Sequence, residues 1–355
     1  MGETIFGRFE CACMTVNLVC AKLMFSSPRL FFAASRAAVP TVCADITLTG
    51  LFLLFVLRLM PDEPQDIMGL CEKYIGRGAG KAAALFGAAL MFFRLITQSR
   101  EFSAVLSFEA SDALPREFAA AVLFLAASVV AFMGIEAASR LHALFVPLCA
   151  AAFAVIAAMA APGADVFRLF PLFGGGAAAV SHDAIRALDC FCDAYVVFLL
   201  MPHIRRRELL GRSMGAAFIV FSAAAAAVTL ISAAKNGGAD VPVLYLSQTA
   251  NVFGHAPRLD VYLLTAQSIA ALLCTACTLL FFVMCLSRAL GLSDCRPLVA
   301  PSAVFFFACA LLSDGCALIR FADSAAWAVC EAVCFAVSPI MLYVAVLRKR
   351  RPKKT

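Results

Sequence analysis

The stretch Y-L-L-T-A-Q-S-I-A-A-L-L-C-T-A-C-T-L-L-F-F-V-M-C-L-S, Tyr262 to Ser287, decides the class of fold. It contains no charged residue, and it is longer than the roughly 20 residues that an α-helix needs to cross a bilayer. Charged residues stand close to both of its ends, Asp260 before it and Arg288 after it. This pattern predicts a transmembrane helix.

Similar runs recur along the whole chain. Hydrophobic residues make up 63% of the sequence and charged residues only 15%, which is far from the composition of soluble proteins. We therefore predict an all-α membrane protein with ten transmembrane helices. The first run has a weakly basic flank and nine runs follow it, so we predict that it is retained and is not a cleaved signal peptide. The predicted spans cover residues 9–27, 37–59, 81–104, 117–134, 141–161, 184–202, 214–233, 260–287, 299–319 and 326–347.

The distribution of lysine and arginine predicts the orientation of the chain. With an even number of spans, both termini lie on the same side of the membrane. Basic residues are about twice as frequent in the segments on the side of the termini as on the opposite side, so we predict that both termini are cytoplasmic. The basic tail 348–355 directly follows the last span and suits anionic lipid headgroups, and we predict no nucleic-acid partner.

The sequence carries no recognisable catalytic or metal-binding pattern. Sixteen cysteines fall mostly within the predicted helices, where they act as small packing residues. Cys274 and Cys277 form a C-x-x-C pair, but no second pair or nearby histidine completes a zinc site. The glycine-rich segment Tyr74 to Lys81 lacks the spacing of a phosphate loop. We predict a protein that is not an enzyme and has no metal and no cofactor.

Polar residues within the predicted spans point to function, because charged side chains are costly in a bilayer. Lys22 lies in the outer half of span one, just before Ser26-Ser27-Pro28. Asp189 and Asp193 are four residues apart in span six, hence on one helical face, beside Cys190. We predict that Lys22 pairs with Asp193, or with Asp189. Alternatively, the lysine reaches the outer headgroups or pairs with Asp45.

Two other spans carry groups of polar residues. Arg94, Thr97 and Gln98 form one group in span three, and Gln267 and Thr275 form another in span eight. Such residues either hold helices together or contact a ligand. A further acid–base pair, Glu136 and Arg140, has the spacing of a helical ion pair, and we predict that it is structural.

The number of spans suggests two halves of five helices each. The first half covers about 9–161 and the second about 184–347, within a single membrane domain of residues 1–355. Spans one and six are then equivalent, and inverted-repeat transporters bind ligands where these two helices are broken at mid-membrane. The sequence thus predicts a five-plus-five inverted-repeat transporter fold with broken helices 1 and 6.

From about Lys22 to Pro301 the chain resembles the B subunit of bacterial spore germinant receptors, a branch of the amino acid–polyamine–organocation transporter superfamily. The order and spacing of several short motifs carry this resemblance. These motifs are S-S-P-R at 26–29, C-E-K-Y-I-G-R-G-A-G-K at 71–81, R-E-F at 100–102, L-P at 114–115, G-I-E-A-A-S-R at 134–140, F-P-L-F-G-G-G at 170–176, F-C-D-A-Y-V-V-F-L-L-M-P at 191–202, P-R-L-D at 257–260 and C-R-P-L-V-A-P at 295–301.

The resemblance implies a multi-pass protein of the spore inner membrane that assembles with an A subunit and a lipoprotein C subunit. It also implies recognition of a small nutrient, commonly an amino acid, between helices one, three, six and eight. The alternative is an amino-acid permease or exchanger that transports its substrate, and a third possibility is a membrane scaffold without a ligand pocket. The candidate ligand-binding residues are Asn17, Ala21, Lys22, Arg94, Thr97, Gln98, Asp189, Cys190, Asp193 and Gln267.

Two positions differ from the usual pattern of the family. Ala21 and Lys22 stand where a glycine usually precedes the end of the first helix. Gln267 stands where many members have a tryptophan early in helix eight. These differences predict a pocket that is more polar than usual.

Overall fold

A computed structural model describes most of the chain. The described ranges are 7–25, 65–109, 115–162, 195–204, 207–236, 259–312, 316–322 and 324–350, with isolated residues between 43 and 63 and between 164 and 178. The interior of predicted span two and residues 184–194 of predicted span six lie largely outside these ranges.

Helices account for nearly all of the described residues, and no strand is found among them. We number the α-helices in chain order. They are α1 (Arg8–Phe25), α2 (Ile67–Tyr74), α3 (Arg77–Glu109), α4 (Arg116–Met133), α5 (Ile135–Ala160), α6 (Val196–Leu200), α7 (Arg207–Asn236), α8 (Leu259–Leu290), α9 (Val299–Ala310), α10 (Ala317–Ala322) and α11 (Ala325–Arg350).

Five of the described helices contain segments long and apolar enough to cross a membrane. Each of these segments exceeds or approaches the roughly 20 residues that a bilayer requires. The all-helical membrane class predicted from the sequence is therefore confirmed. The five segments are Arg77–Ser103, Arg116–Met133, Ile135–Met159, Leu264–Leu290 and Val329–Arg348.

Helix α8 is the central helix of the described bundle. It packs against α3, α4, α5 and α1, and most of its side chains between Ala266 and Cys285 are buried. Helix α1 packs in addition on α7 and α5, whereas α11 packs on α3 and α2. The helix that is uncharged over the longest stretch thus lies inside the bundle, in contact with several other helices.

A short helix that the sequence did not predict precedes the first of these segments. Helix α2 begins after Asp66, whose carboxylate accepts a hydrogen bond from the Gly69 amide at 2.6 Å. An aspartate at this position satisfies an amide that the first turn leaves free. Gly76 has φ +133°, a conformation that favours glycine, and α3 starts at the next residue.

A single residue, Gly134, connects α4 and α5. It has φ +91°, and its amide donates to the carbonyls of Val130 and Ala131. Glycine adopts this conformation without the steric cost that a Cβ atom brings. The chain therefore leaves one helix and enters the next without an intervening loop.

The observed helix ends differ from the predicted spans where charged residues continue a helix. Span four was predicted at 117–134 and α4 covers Arg116–Met133, a close match. Span five was predicted to start at 141, but α5 starts at Ile135, directly after Gly134, and includes the pair of Glu136 and Arg140. Span nine was predicted to reach 319, but α9 ends at Ala310.

Candidate functional site

The first polar group of the site lies where α1, α5 and α8 meet. Asn17 of α1 is buried, and its amide nitrogen Nδ2 lies 3.3 Å from the carbonyl oxygen of Ala270 in α8. The same nitrogen lies 3.2 Å from Nε2 of His142 in α5. The Ala270 oxygen can only accept a hydrogen bond, so the nitrogen of the Asn17 side chain must face it. One amide group thus joins three helices.

The hydrogen bonds of His142 define its protonation state. Its Nδ1 lies 2.7 Å from the carbonyl oxygen of Ala138, which requires a hydrogen on Nδ1. Nε2 faces the donating amide of Asn17 and is therefore the acceptor. The geometry is that of a neutral imidazole protonated on Nδ1, fully buried between helices.

A second polar contact joins α3 to α8. The hydroxyl Oγ1 of Thr278 lies 3.2 Å from Oε1 of Gln98 and 2.9 Å from the carbonyl oxygen of Cys274. Gln98 is buried, whereas Thr97 is partly buried and its hydroxyl donates to the Phe93 carbonyl of its own helix. Of these neighbouring residues of α3, Gln98 therefore contacts α8.

Gln267 of α8 is fully buried and belongs to the same helical face as Ala270, Cys274 and Thr278, because spacings of three, seven and eleven residues return to one side of an α-helix. Thr275 is also buried, and its hydroxyl has no hydrogen-bond partner among the described residues. A buried hydroxyl without a partner is uncommon and marks a position where a ligand or water could bind. We call Asn17, Gln98, His142, Gln267 and Thr278 the polar strip.

Arg94 takes part in a different contact. Its guanidinium Nη1 lies 3.1 Å from Oε1 of Glu331 in α11, and both side chains are almost entirely buried, with 1% and 5% of their surface exposed. The neighbouring Phe93 packs edge-on against Trp327, with 4.4 Å between ring centroids. The arginine that the sequence grouped with Thr97 and Gln98 thus joins α3 to α11, through an acid that sequence reasoning did not single out.

Half of the predicted candidate residues are not characterised by these contacts. Ala21 and Lys22 belong to α1, but their side chains are outside the described part of the structure. Asp189, Cys190 and Asp193 lie outside the described residues altogether, as does Asp45. The predicted pairing of Lys22 with Asp193 or Asp189 therefore stays a prediction.

Outside the strip, one prediction can be compared with a contact. Arg140 and Glu136 form an ion pair within α5 that is largely exposed, which confirms the predicted structural pair. Among the described residues, no group of three or more histidines, cysteines, aspartates or glutamates could hold a metal ion. The described cysteines, including Cys274 and Cys277, are free thiols.

At the surface, α2 carries a small charged cluster. Lys73 donates to Glu63 at 3.0 Å, and Tyr74 donates to the other oxygen of the same carboxylate. The hydrogen bond to Glu63 raises the pKa of the Lys73 ammonium above its ordinary value. On the buried side of α2, desolvation, with a contribution from Asp66, raises the pKa of the Cys71 thiol to about 11.

The arrangement of these helices matches a known membrane-protein fold. The structure is similar to the crystal structure of MhsT in complex with L-phenylalanine, with a TM-score of 0.59 and 14% sequence identity, over 98% of this chain and 100% of that chain. At this identity the likeness defines the fold, which is of the LeuT type.

A family profile then identifies the chain more closely. The profile of the spore permease family, described as spore germination protein, matches residues 41–315, which is more than half of the sequence. The chain belongs to this family, and the resemblance seen in its motifs is confirmed. No curated protein matches the sequence. Family and fold are those of a transporter-like or receptor protein of the membrane and not of an enzyme.

Proposed function

We propose that this protein is the transporter-like subunit of a spore germinant receptor, which recognises a small nutrient, most simply an amino acid, and triggers germination. Membership of the spore germination protein family carries the proposal. The buried polar strip along α8 supports it, because a ligand pocket is mostly apolar with a few placed polar groups. The similar protein MhsT was crystallised with L-phenylalanine.

The proposed pocket lies between the first, third, sixth and eighth helices of a five-plus-five inverted repeat. Asn17, Gln98 and Gln267 are buried on α1, α3 and α8 and supply neutral hydrogen-bonding groups. We propose that Lys22 and Asp193 add a cation and an anion, which suit the carboxylate and the amine of an amino acid. Ala21, Thr97, Asp189 and Cys190 complete the proposed lining.

Arg94 has a more indirect place in the proposed pocket. Arg94 lies one helical turn before Gln98 on α3, and its guanidinium pairs with Glu331 of α11. A ligand carboxylate at this position would have to compete with Glu331. We therefore propose that Arg94 supports the pocket wall and that Gln98 contacts the nutrient.

Nutrient binding would act by shifting a conformational equilibrium. A ligand shifts such an equilibrium only by the difference in its affinity for the two states. We propose that the partner A subunit and lipoprotein C subunit, in the spore inner membrane, sense the state that the nutrient favours. In this arrangement both termini of the chain are cytoplasmic.

Spores that lack this subunit provide the test. We expect them to lose germination in response to one nutrient of a panel, and we expect the wild-type gene to restore it. Complementation with Gln98→Leu should give normal protein levels with a response at higher nutrient concentration only. Unchanged germination of the deletion strain with every nutrient of the panel would refute the proposal.

The second candidate function is an amino-acid permease or exchanger, which the transporter fold favours. Uptake of radiolabelled amino acids by the purified protein in liposomes distinguishes the two. A receptor binds the nutrient without concentrating or exchanging it, whereas a permease shows uptake or counterflow that saturates with substrate.

A further inference from the structure

We propose that His142 is the positioning residue for Asn17: in its neutral Nδ1–H form it holds the Asn17 amide so that the carbonyl oxygen Oδ1 is offered to the nutrient, and acidification releases this arrangement. The proposal rests on the proposed function in one respect, the role of Asn17 as a nutrient contact. Its first part concerns only the geometry at the junction of α1, α5 and α8.

The two hydrogens of the Asn17 amide are both engaged. One is directed at the Ala270 carbonyl oxygen, 3.3 Å from Nδ2, and the other at Nε2 of His142, 3.2 Å from Nδ2. Nδ2 and Oδ1 diverge from the same carbon, so fixing the nitrogen against α5 and α8 turns the oxygen away from them. The remaining group is a hydrogen-bond acceptor, suited to an ammonium or another donor of a ligand.

Only the neutral ring of His142 with its hydrogen on Nδ1 can accept the hydrogen bond from Asn17. The 2.7 Å contact between Nδ1 and the Ala138 carbonyl fixes the hydrogen on Nδ1, within the first turns of α5. In the neutral ring Nε2 is then an acceptor. In the protonated ring both nitrogens are donors, and Nε2–H would face the donating Nδ2 of Asn17. The amide would have to rotate to present Oδ1 to His142, which removes that oxygen from the nutrient and the nitrogen from Ala270.

Among the described residues, the groups around His142 favour the neutral ring. Its hydrogen-bond contacts are Asn17, the Ala138 carbonyl and the thiol of Cys277, 3.9 Å from Nε2. No carboxylate is hydrogen-bonded to the ring, so none stabilises an imidazolium. The other titratable or charged residues on α5 and on the helices packed against it are Glu136, Arg140 and Cys149 of α5, Arg8, Glu10, Cys11, Cys13, Cys20 and Lys22 of α1, Arg116 and Glu117 of α4, Arg207, Glu208, Arg212 and Lys235 of α7, and Asp260, Tyr262, Cys274, Cys285 and Arg288 of α8.

Most of these groups are remote or neutral. Glu136 and Arg140 pair with each other. Arg116 and Glu117 lie at the end of α4 opposite to Gly134, and Arg212 is exposed. Among the described residues, His142 is thus the titratable group through which acidification would reach Asn17.

The geometric part is tested by nitrogen NMR of the full-length protein in lipid nanodiscs with ¹⁵N-labelled histidine. The chain has four histidines, and the His142 signals are those that disappear in His142→Gln. We expect at neutral pH a protonated Nδ1 and an unprotonated Nε2, with the Nε2 signal shifting in Asn17→Leu. The proposal would be overturned by an Nε2–H tautomer, by an imidazolium at neutral pH, or by an Nε2 chemical shift that is the same in Asn17→Leu as in wild type. None of these outcomes requires that a nutrient is known.

The functional part compares the wild type with two variants of His142 over a range from neutral to clearly acidic pH. In wild type we expect the half-maximal nutrient concentration to rise on acidification. His142→Gln can place an amide oxygen near the position of Nε2 but cannot take up the proton, so the response should be kept and its pH dependence lost. His142→Phe provides no acceptor and should raise the half-maximal concentration by roughly 5- to 100-fold at every pH, since a buried donor loses its partner.

Ser139→Ala is the matched control. Ser139 is as buried as His142 on the same helix, and its hydroxyl bonds only within α5, to the Glu136 carbonyl. This variant should keep the wild-type pH profile. A pH profile of His142→Gln identical to that of wild type would exclude the positioning role. If the wild-type protein supported no response to any nutrient, this would instead count against the proposed function. The NMR result would still decide the geometry around His142.

Discussion

Two arginine–glutamate pairs of this protein have the same chemistry and opposite surroundings. Arg94 and Glu331 are almost fully buried between α3 and α11, whereas Arg140 and Glu136 are largely exposed on α5. In a buried pair the attraction offsets the loss of hydration of both ions, and removal of one ion leaves the other without that compensation. In an exposed pair water replaces the lost partner.

We therefore expect Glu331→Gln to lower stability by about 3–5 kcal/mol and Glu136→Gln by less than about 0.5 kcal/mol. Thermal unfolding of the purified variants in detergent compares them directly. The double variant Arg94→Met with Glu331→Leu should regain much of the stability that Glu331→Gln loses. Equal effects of the two glutamine substitutions would mean that the buried pair is hydrated.

The cysteines of the chain should differ in reactivity according to burial. Desolvation raises the pKa of Cys71 to about 11, and the reactive species of a thiol is its anion. We expect iodoacetamide at neutral pH to leave Cys71 unmodified in the folded protein and to modify it after denaturation, as measured by peptide mass spectrometry. The rate of modification in the folded state should increase about tenfold for each unit by which the pH is raised, up to about pH 11. Rapid labelling at neutral pH would show that α2 opens readily.

The contacts of single residues were the least predictable from sequence. Asn17 was predicted as a candidate, but its partners His142 and Ala270 are more than a hundred residues away along the chain. The four histidines are dispersed in the sequence, so nothing local indicated that one of them touches Asn17. Glu331 did offer a signal, because it is an acid within an otherwise apolar run.

At the scale of helices, one close approach involves a glycine. A Cβ atom added to Gly87 of α3 would clash with the Tyr195 hydroxyl and lie 3.0 Å from Tyr195 Cζ and 3.1 Å from Cys285 Sγ. Tyr195 itself is fully buried, immediately before α6. The absence of a side chain at position 87 therefore lets α3 pack against both this segment and α8, as small residues do in membrane bundles.

We expect Gly87→Ala to destabilise the protein by about 1–3 kcal/mol through overpacking. Gly78→Ala on the same helix is the control, because its Cβ would meet nothing within 4 Å. The melting temperatures of both variants in detergent provide the comparison. Adding Tyr195→Phe to Gly87→Ala removes the clashing hydroxyl and should restore part of the loss; equal melting temperatures of the two alanine variants would contradict the packing.

The extents of the helices were largely predictable, and the errors have two causes. The apolar run of α4 ends at Gly134 and was located to within a residue. Spans three and five were predicted to start too late because Arg77, Glu136 and Arg140 were treated as loop residues, although a helix can begin with charged residues at the membrane surface. Span nine was extended too far, since Leu311 and Leu312 continue the apolar pattern after α9 has ended.

At the scale of the whole molecule, the orientation in the membrane is a proposal that α7 can test. Arg212 is exposed near the start of α7, while the adjacent Ser213 is buried with its hydroxyl 3.1 Å from Cys11 Sγ. We expect a membrane-impermeant maleimide to label Arg212→Cys in inverted vesicles and not in right-side-out vesicles. Ser213→Cys should be protected in both, and peptide mass spectrometry separates these sites from the native cysteines. Labelling of Arg212→Cys in right-side-out vesicles would reverse the predicted orientation.

The one-residue connection at Gly134 also bears on how the protein is synthesised. During synthesis, α4 and α5 reach the membrane insertion machinery in immediate succession. No hydrophilic loop separates them that could remain in water while α4 is inserted. Within α4 and α5, the charged side chains nearest to the turn are Glu136 and Arg140, which pair with each other within one helical turn. We therefore expect the two helices to enter the lipid together as one hairpin, because the ion pair beside the turn carries no net charge into the bilayer.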